Sequence, residues 1–73
     1  MFKKSMVTSQ DIAVKFMLSY QTINHYTNLG ILIVKGRKGN IRLYDEEEVR
    51  RNLQKLGDLK NEGYPLRLIR KML

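Results

Sequence analysis

The side chains best suited to chemistry lie in one stretch, SYQTINHYTNLG, which runs from Ser19 to Gly30. This stretch is rich in amides and hydroxyls, and it contains the one histidine of the chain, His25. Amides both donate and accept hydrogen bonds, and Asn and Gln pair well with adenine in a DNA groove. The stretch can therefore recognise base edges by hydrogen bonding, although a helix face that is simply solvated has the same composition.

The same stretch carries the start and stop signals of a helix over about residues 19–29. Ser19 is a favourable N-cap residue, and Gly30 can adopt the left-handed conformation that ends a helix. Apolar residues recur at every third position, so the polar residues fall on the other sides. Four residues early on the exposed side are candidates for base contacts: Tyr20, Gln21, Asn24 and His25. A partly buried structural role explains His25 equally well.

A second helix is predicted before it, over about residues 8–16. Thr8 and Asp11 have the spacing of a capping box, and an apolar face follows them. Residues 1–7 are expected to begin irregularly, with the last two turned toward the core. Two short helices separated by about three residues are a helix-turn-helix candidate, although many helical hairpins share this spacing.

The pattern changes from helical to extended over residues 31–44. β-branched residues are followed by the turn-forming segment KGRKGN and then by alternating residues, which predicts a β-hairpin. Its tip contains bases and no acid, so it could contact a phosphate backbone, with an ordinary solvated turn as the plainer alternative. The bases concerned are Lys35, Arg37, Lys38 and Arg42.

Two further helices are predicted, over about residues 46–62 and 66–73. Asp45 and Glu48 have the spacing of a second capping box, and acids in a first turn suit the helix dipole. Carboxylates at consecutive positions point around a helix and do not converge, so helix initiation explains them better than a metal or catalytic site does. The last helix carries its bases on the outside: Arg67, Arg70 and Lys71.

Composition excludes several classes of protein. The chain has 73 residues, no Cys and one His, which predicts a single small domain over 1–73 without disulfides or a thiolate metal site. No nucleophile lies near a base in the pattern, so neither enzyme activity nor a cofactor is expected. No apolar run reaches the length of a membrane span and no signal-peptide core is present, so a cytoplasmic location without membrane contact is expected.

The charge is positive and one-sided. The formal net charge is +7, and residues 1–44 hold seven Lys or Arg against one acid, whereas the remainder holds seven against six. A one-sided positive field attracts polyanions, and nucleic acid is the commonest such partner of a compact domain. Membrane surfaces and acidic protein partners are the alternatives.

Taken together, the elements resemble the N-terminal DNA-binding domain of the MerR family of transcription regulators over nearly the entire chain. The resembling segments are DIA at 11–13, LSYQTINHY at 18–26, LGIL at 29–32, IRLYDEEEV at 41–49 and LKNEGYPLRLIRKML at 59–73. The segment IRLYDEEEV is the most specific of them. The resemblance implies a winged helix-turn-helix, mostly α with a small β-hairpin, in the order ααββαα.

The resemblance also implies roles for the residues that match. Thr22 and Tyr26 correspond to positions that lie against the DNA backbone, and Arg42 corresponds to an arginine that supports the wing and can reach phosphate. The expected backbone contacts, from pattern and resemblance together, are Thr8, Ser19, Thr22, Tyr26, Lys35, Arg37, Lys38 and Arg42. The chain departs from the family pattern at positions where glycine, arginine and tyrosine are usual: Met17, Asn24 and His25.

The expected function is sequence-specific binding of double-stranded DNA as part of a transcription regulator. The second helix would enter the major groove and the basic hairpin would contact flanking phosphate. Because one small helix-turn-helix reads few bases, the full-length protein is expected to act as a homodimer or a cooperative oligomer. An excisionase or recombinase-associated targeting domain is one alternative, and a protein-interaction module is the other.

Overall fold

The structure, a computed structural model, describes residues 5–73. Its elements are, in order, β1 (Met6–Thr8), α1 (Ser9–Lys15), α2 (Tyr20–Leu29), β2 (Val34–Lys38), β3 (Ile41–Asp45), α3 (Glu46–Asn61) and α4 (Leu66–Met72). The predicted fold, mostly α with a small hairpin, is confirmed, and the predicted order ααββαα lacks only the first strand. Among residues 5–73, no helix combines the length and hydrophobicity that a membrane crossing requires.

The strand β1 is not predicted from the sequence pattern. It pairs antiparallel with β3, so that Val7 lies opposite Tyr44, and β3 becomes the central strand of a sheet with the order β1-β3-β2. Of the two residues expected to turn toward the core, Val7 is buried whereas Met6 is 41% exposed. Residues 1–4, which the expectation of an irregular start also covers, lie outside the described part of the chain.

β2 and β3 form the wing, which here means the hairpin of these two strands. Lys38 pairs with Ile41 across a two-residue turn, and the positive φ of 63° at its first residue, Gly39, is typical of a type II′ turn. Near the start of β2 the pairing register shifts by one residue, and this bulge accommodates Lys35. The bulge therefore interrupts the regular alternation of side chains along β2.

The regular hairpin is shorter than the predicted range 31–44. Strand pairing begins only at Val34, while Ile31 and Leu32 form a bend and are both buried. The side-chain amide of Asn52 in α3 donates to the carbonyl of Ile31 at 2.9 Å. These apolar residues are thus anchored to the core by a bend rather than by a sheet.

The predicted caps define both helices of the helix-turn-helix. The Thr8 backbone N–H donates to Asp11 Oδ2 at 3.0 Å and the Asp11 N–H donates to Thr8 Oγ1 at 3.1 Å, so the first capping box is confirmed. Ser19 caps α2 by accepting from the Thr22 N–H at 3.1 Å. Gly30 ends α2 with a left-handed φ of 84°. Local side-chain chemistry therefore determines where α1 and α2 begin and where α2 ends.

The turn between α1 and α2 contains a residue in an unfavourable conformation. Met17 has a φ of 55°, in the left-handed region that favours glycine, and its side chain is 90% exposed. The Leu18 N–H donates to the Ala13 carbonyl at 3.1 Å and closes the turn. The turn therefore has a left-handed residue at position 17, although this residue is a methionine and not the glycine that such a conformation favours.

Two hydrophobic clusters form the core. The first cluster joins the helix-turn-helix to the sheet and contains Val7, Ile12, Ile23, Leu32, Tyr44 and Val49. The second cluster joins α3 to α4 and contains Ile31, Leu56, Leu59 and Ile69. Tyr26 and Leu53 pack against both clusters, so the two form one continuous core.

The acids at the start of α3 differ in their roles. Asp45 accepts a hydrogen bond from the backbone N–H two residues further on, at 3.1 Å. The second capping box does not form as predicted, because the carboxylate of Glu48 is ion-paired with Lys35 of the wing at 3.0 Å. Glu46 is ion-paired with Lys15 of α1. The acidic cluster therefore begins the helix and also holds α1 and the wing against it.

Candidate nucleic-acid interface

α2 presents a polar, neutral side to the surface. Its apolar stripe sets its orientation, since Ile23 is completely buried on the opposite side. All four residues predicted as base contacts are exposed: Tyr20, Gln21, Asn24 and His25. The structure therefore brings them together on one exposed side of one helix.

One edge of this face borders the wing, because β3 runs along α2. Arg42 Nη1 donates to Asn24 Oδ1 at 3.5 Å, and two residues further along β3 the hydroxyl of Tyr44 lies 3.0 Å from that of Thr27. Alternate residues of a strand share one face, and residues three apart in a helix are neighbours. One face of β3 thus follows α2 over about one helical turn, with Arg42 at the polar end and Tyr44 at the buried end.

A depression of about 310 Å³ lies where α1 begins, between α2 and the hairpin turn. Its lining includes Thr8 and Gln10 on one side, Asn24 on another, and Asn40 and Arg42 of the wing on the third. Two of the predicted backbone contacts, Thr8 and Arg42, are thereby brought next to a residue predicted to contact bases.

The wing presents two arginines on the side that faces α2. Arg37 lies directly opposite Arg42 in the β2–β3 pairing, and cross-strand partners share a face of the sheet. Among residues 5–73, neither arginine nor Lys38 forms a salt bridge. Like charges directly opposite each other destabilise a sheet, so an anion bound from outside the domain would reduce the repulsion between the two guanidinium groups.

Lys35 is placed differently from the other bases of the wing. Its Nζ lies 3.0 Å from Glu48 Oε2, and its side chain is only about a third exposed, at 34%. The bulge of β2 removes it from the alternation that directs Arg37 toward α2. A backbone contact of Lys35 therefore requires that this ion pair with Glu48 be broken, and the contact stays a prediction.

The hydroxyls predicted to contact the DNA backbone also serve as helix caps. Ser19 Oγ donates to Thr22 Oγ1 at 2.9 Å, so its proton is already engaged. Thr8 Oγ1 acts as an acceptor for the Asp11 N–H. The hydroxyl protons of Thr8 and Thr22 are therefore available for a further acceptor, such as a phosphate oxygen, whereas that of Ser19 is not.

Tyr26, the remaining predicted backbone contact, is used mainly for packing. It is half-buried against both core clusters, and its ring centroid lies 6.2 Å from that of His25. The body of the side chain supports α2, which leaves its hydroxyl as the part that can reach a ligand.

Comparison with known proteins gives a match over almost the full chain. Residues 7–73 match the family model described as MerR HTH family regulatory protein. The chain belongs to this family. No match was found among curated proteins or among solved structures.

In this MerR-family domain, α4 borders the other edge of the polar face of α2. A depression of about 510 Å³ is lined by both His25 and Arg67, and one of about 580 Å³ is lined by Asn28 together with Arg70 and Lys71. The sequence pattern predicts that these bases lie on the outside of α4, but it does not indicate that they lie near α2. Their positive charge was the only available signal, since the approach of α4 to α2 is a tertiary contact.

Proposed function

We propose that this MerR-family domain is the sequence-specific, double-stranded-DNA-binding part of a transcription regulator. The observation that carries the proposal is the position of α2, whose neutral amide-rich side lies between bases of the wing and bases of α4. An α-helix fits the major groove, and bases on both of its sides would meet the phosphates that border the groove. Such a role would place the protein in the cytoplasm.

Base contacts are assigned to the exposed residues of α2 whose side chains form no hydrogen bond with residues 5–73. Gln21 can pair through its amide with the N6 and N7 edge of adenine, and Tyr20 lies beside it at the start of the helix. His25 lies near Arg67, so it would meet the groove at the α4 edge. Asn24, predicted with them, is already engaged by Arg42.

Backbone contacts are assigned to groups that border this face. In the wing these are Arg37, Lys38 and Arg42, and in α4 the nearest base is Arg67. The hydroxyls of Thr8, Thr22 and Tyr26 would add hydrogen bonds to phosphate oxygens, and Ser19 would support Thr22. Charge-assisted contacts of this kind position a helix in the groove but carry no sequence information themselves.

A homodimer or a cooperative oligomer of the full-length protein is part of the proposal. One recognition helix contacts only a few base pairs, and paired half-sites are the usual way to gain both affinity and selectivity. The symmetry of the DNA site would reveal the arrangement.

Fluorescence anisotropy with labelled duplex DNA, titrated at several salt concentrations, tests the proposal. Binding should weaken as salt rises, and Arg67→Ala or the double change Arg37→Ala/Lys38→Ala should weaken it on every duplex. Lys55→Ala is the matched control, because Lys55 is exposed on α3 and lines none of the three depressions beside α2. Absence of binding at low salt would refute the proposal.

Selection from a random DNA pool tests the sequence-specific part. Gln21→Ala should change the preferred bases at a defined position, because a bidentate amide contact is worth about 1–3 kcal/mol of discrimination. A symmetric selected site would support a dimeric regulator. Direct repeats would instead favour side-by-side binding of the excisionase type, and a pool without enrichment would contradict sequence-specific binding.

A further inference from the structure

Asn24 and Arg42 form a polar link between the recognition helix and the wing. The Arg42 guanidinium donates to the side-chain carbonyl of Asn24 at 3.5 Å, across the boundary between α2 and β3. Arg42 is half-buried and has no acidic partner among residues 5–73, while Asn24 is exposed. One side of the Asn24 carbonyl oxygen thus faces the Arg42 guanidinium rather than solvent.

The surroundings of this link suit an anion. Arg37 lies on the same face of the sheet as Arg42 and directly opposite it, and neither forms a salt bridge among residues 5–73. The depression of about 310 Å³ is lined by Arg42 and by Thr8, whose hydroxyl proton is available for donation. Two arginines and a hydroxyl are groups that bind phosphate well.

We infer that Asn24 is a positioning residue rather than a base-reading residue: its amide holds Arg42 over the depression, where Arg42 and Arg37 together bind one DNA backbone phosphate. This inference rests on the proposed function and assigns a specific subsite to it. The exposed residues of α2 then have two different roles. Gln21 contacts bases directly, whereas Asn24 affects DNA binding only by orienting Arg42 of the wing.

The inference is tested with the whole domain by measuring binding of Asn24→Ala, Arg42→Ala and the double variant to several duplexes. Arg42→Ala should weaken binding by about 10- to 150-fold, since charge-assisted hydrogen bonds are worth about 1.5–3 kcal/mol. Its salt slope should fall by less than about 0.9, the value for one whole phosphate, because Arg37 still binds the same phosphate. Asn24→Ala should weaken binding less than Arg42→Ala does, and by a similar factor on every duplex. It should cause no further loss when Arg42 is already Ala.

Two further readouts separate positioning from other roles. Selection from a random pool should give the same base preferences for Asn24→Ala as for the wild type, while Gln21→Ala changes them. Asn24→Asp keeps an acceptor for Arg42 but adds a negative charge beside the phosphate, so it should bind DNA less well than Asn24→Ala. Thermal unfolding followed by circular dichroism should show that Asn24→Ala and Asn24→Asp remain folded, because the side chain of Asn24 is exposed.

The possible failures are distinguishable. A wild-type domain that binds no duplex at low salt would remove the proposed function and this inference with it. A wild-type domain that binds, with Asn24→Ala altering the preferred base, would leave the proposed function standing and show that Asn24 reads a base. Full loss from Asn24→Ala in the Arg42→Ala background, or wild-type affinity of Asn24→Asp, would likewise overturn the inference alone.

Discussion

The hydroxyl of Tyr44 donates to the hydroxyl of Thr27 across 3.0 Å and joins the central strand β3 to α2. The direction of this bond follows from a second contact, because Thr27 Oγ1 lies 2.7 Å from the Ile23 carbonyl, which can only accept. Tyr44 is completely buried, so no water replaces its partner. The wing is therefore attached to α2 by a hydrogen bond inside the core as well as by Arg42 at the surface.

Removal of this hydroxyl should destabilise the domain. Tyr44→Phe keeps the ring and its packing but loses the bond, which should cost about 0.5–1.5 kcal/mol of unfolding free energy. The midpoint of thermal unfolding should fall by about 4–8 °C per kcal/mol in a domain of this size. Tyr20→Phe is the matched control, because Tyr20 is 55% exposed, and it should leave the midpoint unchanged. Equal midpoints for Tyr44→Phe and the wild type would show that the bond contributes nothing.

The left-handed Met17 offers a route to a more stable domain. Met17→Gly removes a conformational strain of about 1–2 kcal/mol from the folded state. The glycine also makes the unfolded chain more flexible, which lowers stability by a smaller amount. A net gain of about 0.5–1 kcal/mol is expected in denaturant titrations, since the exposed side chain contributes no packing. Met17→Ala retains the strained backbone and should be nearly neutral. A loss of stability in Met17→Gly would mean that the Met17 side chain makes a contact of value.

Two glycines should respond in opposite directions to the same substitution. Gly30→Ala should destabilise by about 1–2 kcal/mol, because φ is 84° and the added Cβ would lie 3.0 Å from Arg70 Nε. Gly57→Ala should stabilise by about 0.5–1 kcal/mol, because Gly57 is within α3 and its Cβ would meet open space. Urea unfolding of both variants measures the contrast. Changes of the same sign would contradict this account of the end of α2.

Two bases of the wing should contribute unequally to DNA binding. Arg37→Ala should measurably reduce the slope of log affinity against log salt, by up to about 0.9, the value for one whole phosphate that it shares with Arg42. Lys35→Ala should change the slope little, because the ion pair with Glu48 already holds its charge on α3. Anisotropy titrations at four or more salt concentrations measure both slopes. A slope change for Lys35→Ala as large as that for Arg37→Ala would show that DNA breaks the ion pair.

Features determined by neighbouring residues could be predicted from the sequence. The capping box of Thr8 and Asp11, the N-cap Ser19 and the stop at Gly30 each depend on a few adjacent positions. The strand β1 could not be predicted in this way, since its three residues are held by pairing with β3 and have no pattern of their own. Its signal appears only once the partner strand is in place.

The residue types of the candidate site could be predicted from the sequence, but the directions in which their side chains point could not. Exposure of Gln21 and its neighbours follows from the apolar stripe of α2, which the sequence displays. The turning of Lys35 toward Glu48 depends on a bulge of one residue, and the approach of Arg67 to His25 depends on how α4 packs. Both are consequences of tertiary structure, so a charge count cannot distinguish a free base from a paired one.

Tyr26 and Leu53 belong to the surroundings of both hydrophobic clusters, and this sharing has a mechanical consequence. The packing between α3 and α4 therefore cannot rearrange without changing the packing of the first cluster as well. A tilt of α4 would move Ile69 within the second cluster, against which the ring of Tyr26 packs. Because Tyr26 belongs to α2, such a tilt would be felt by the helix that we propose to contact bases.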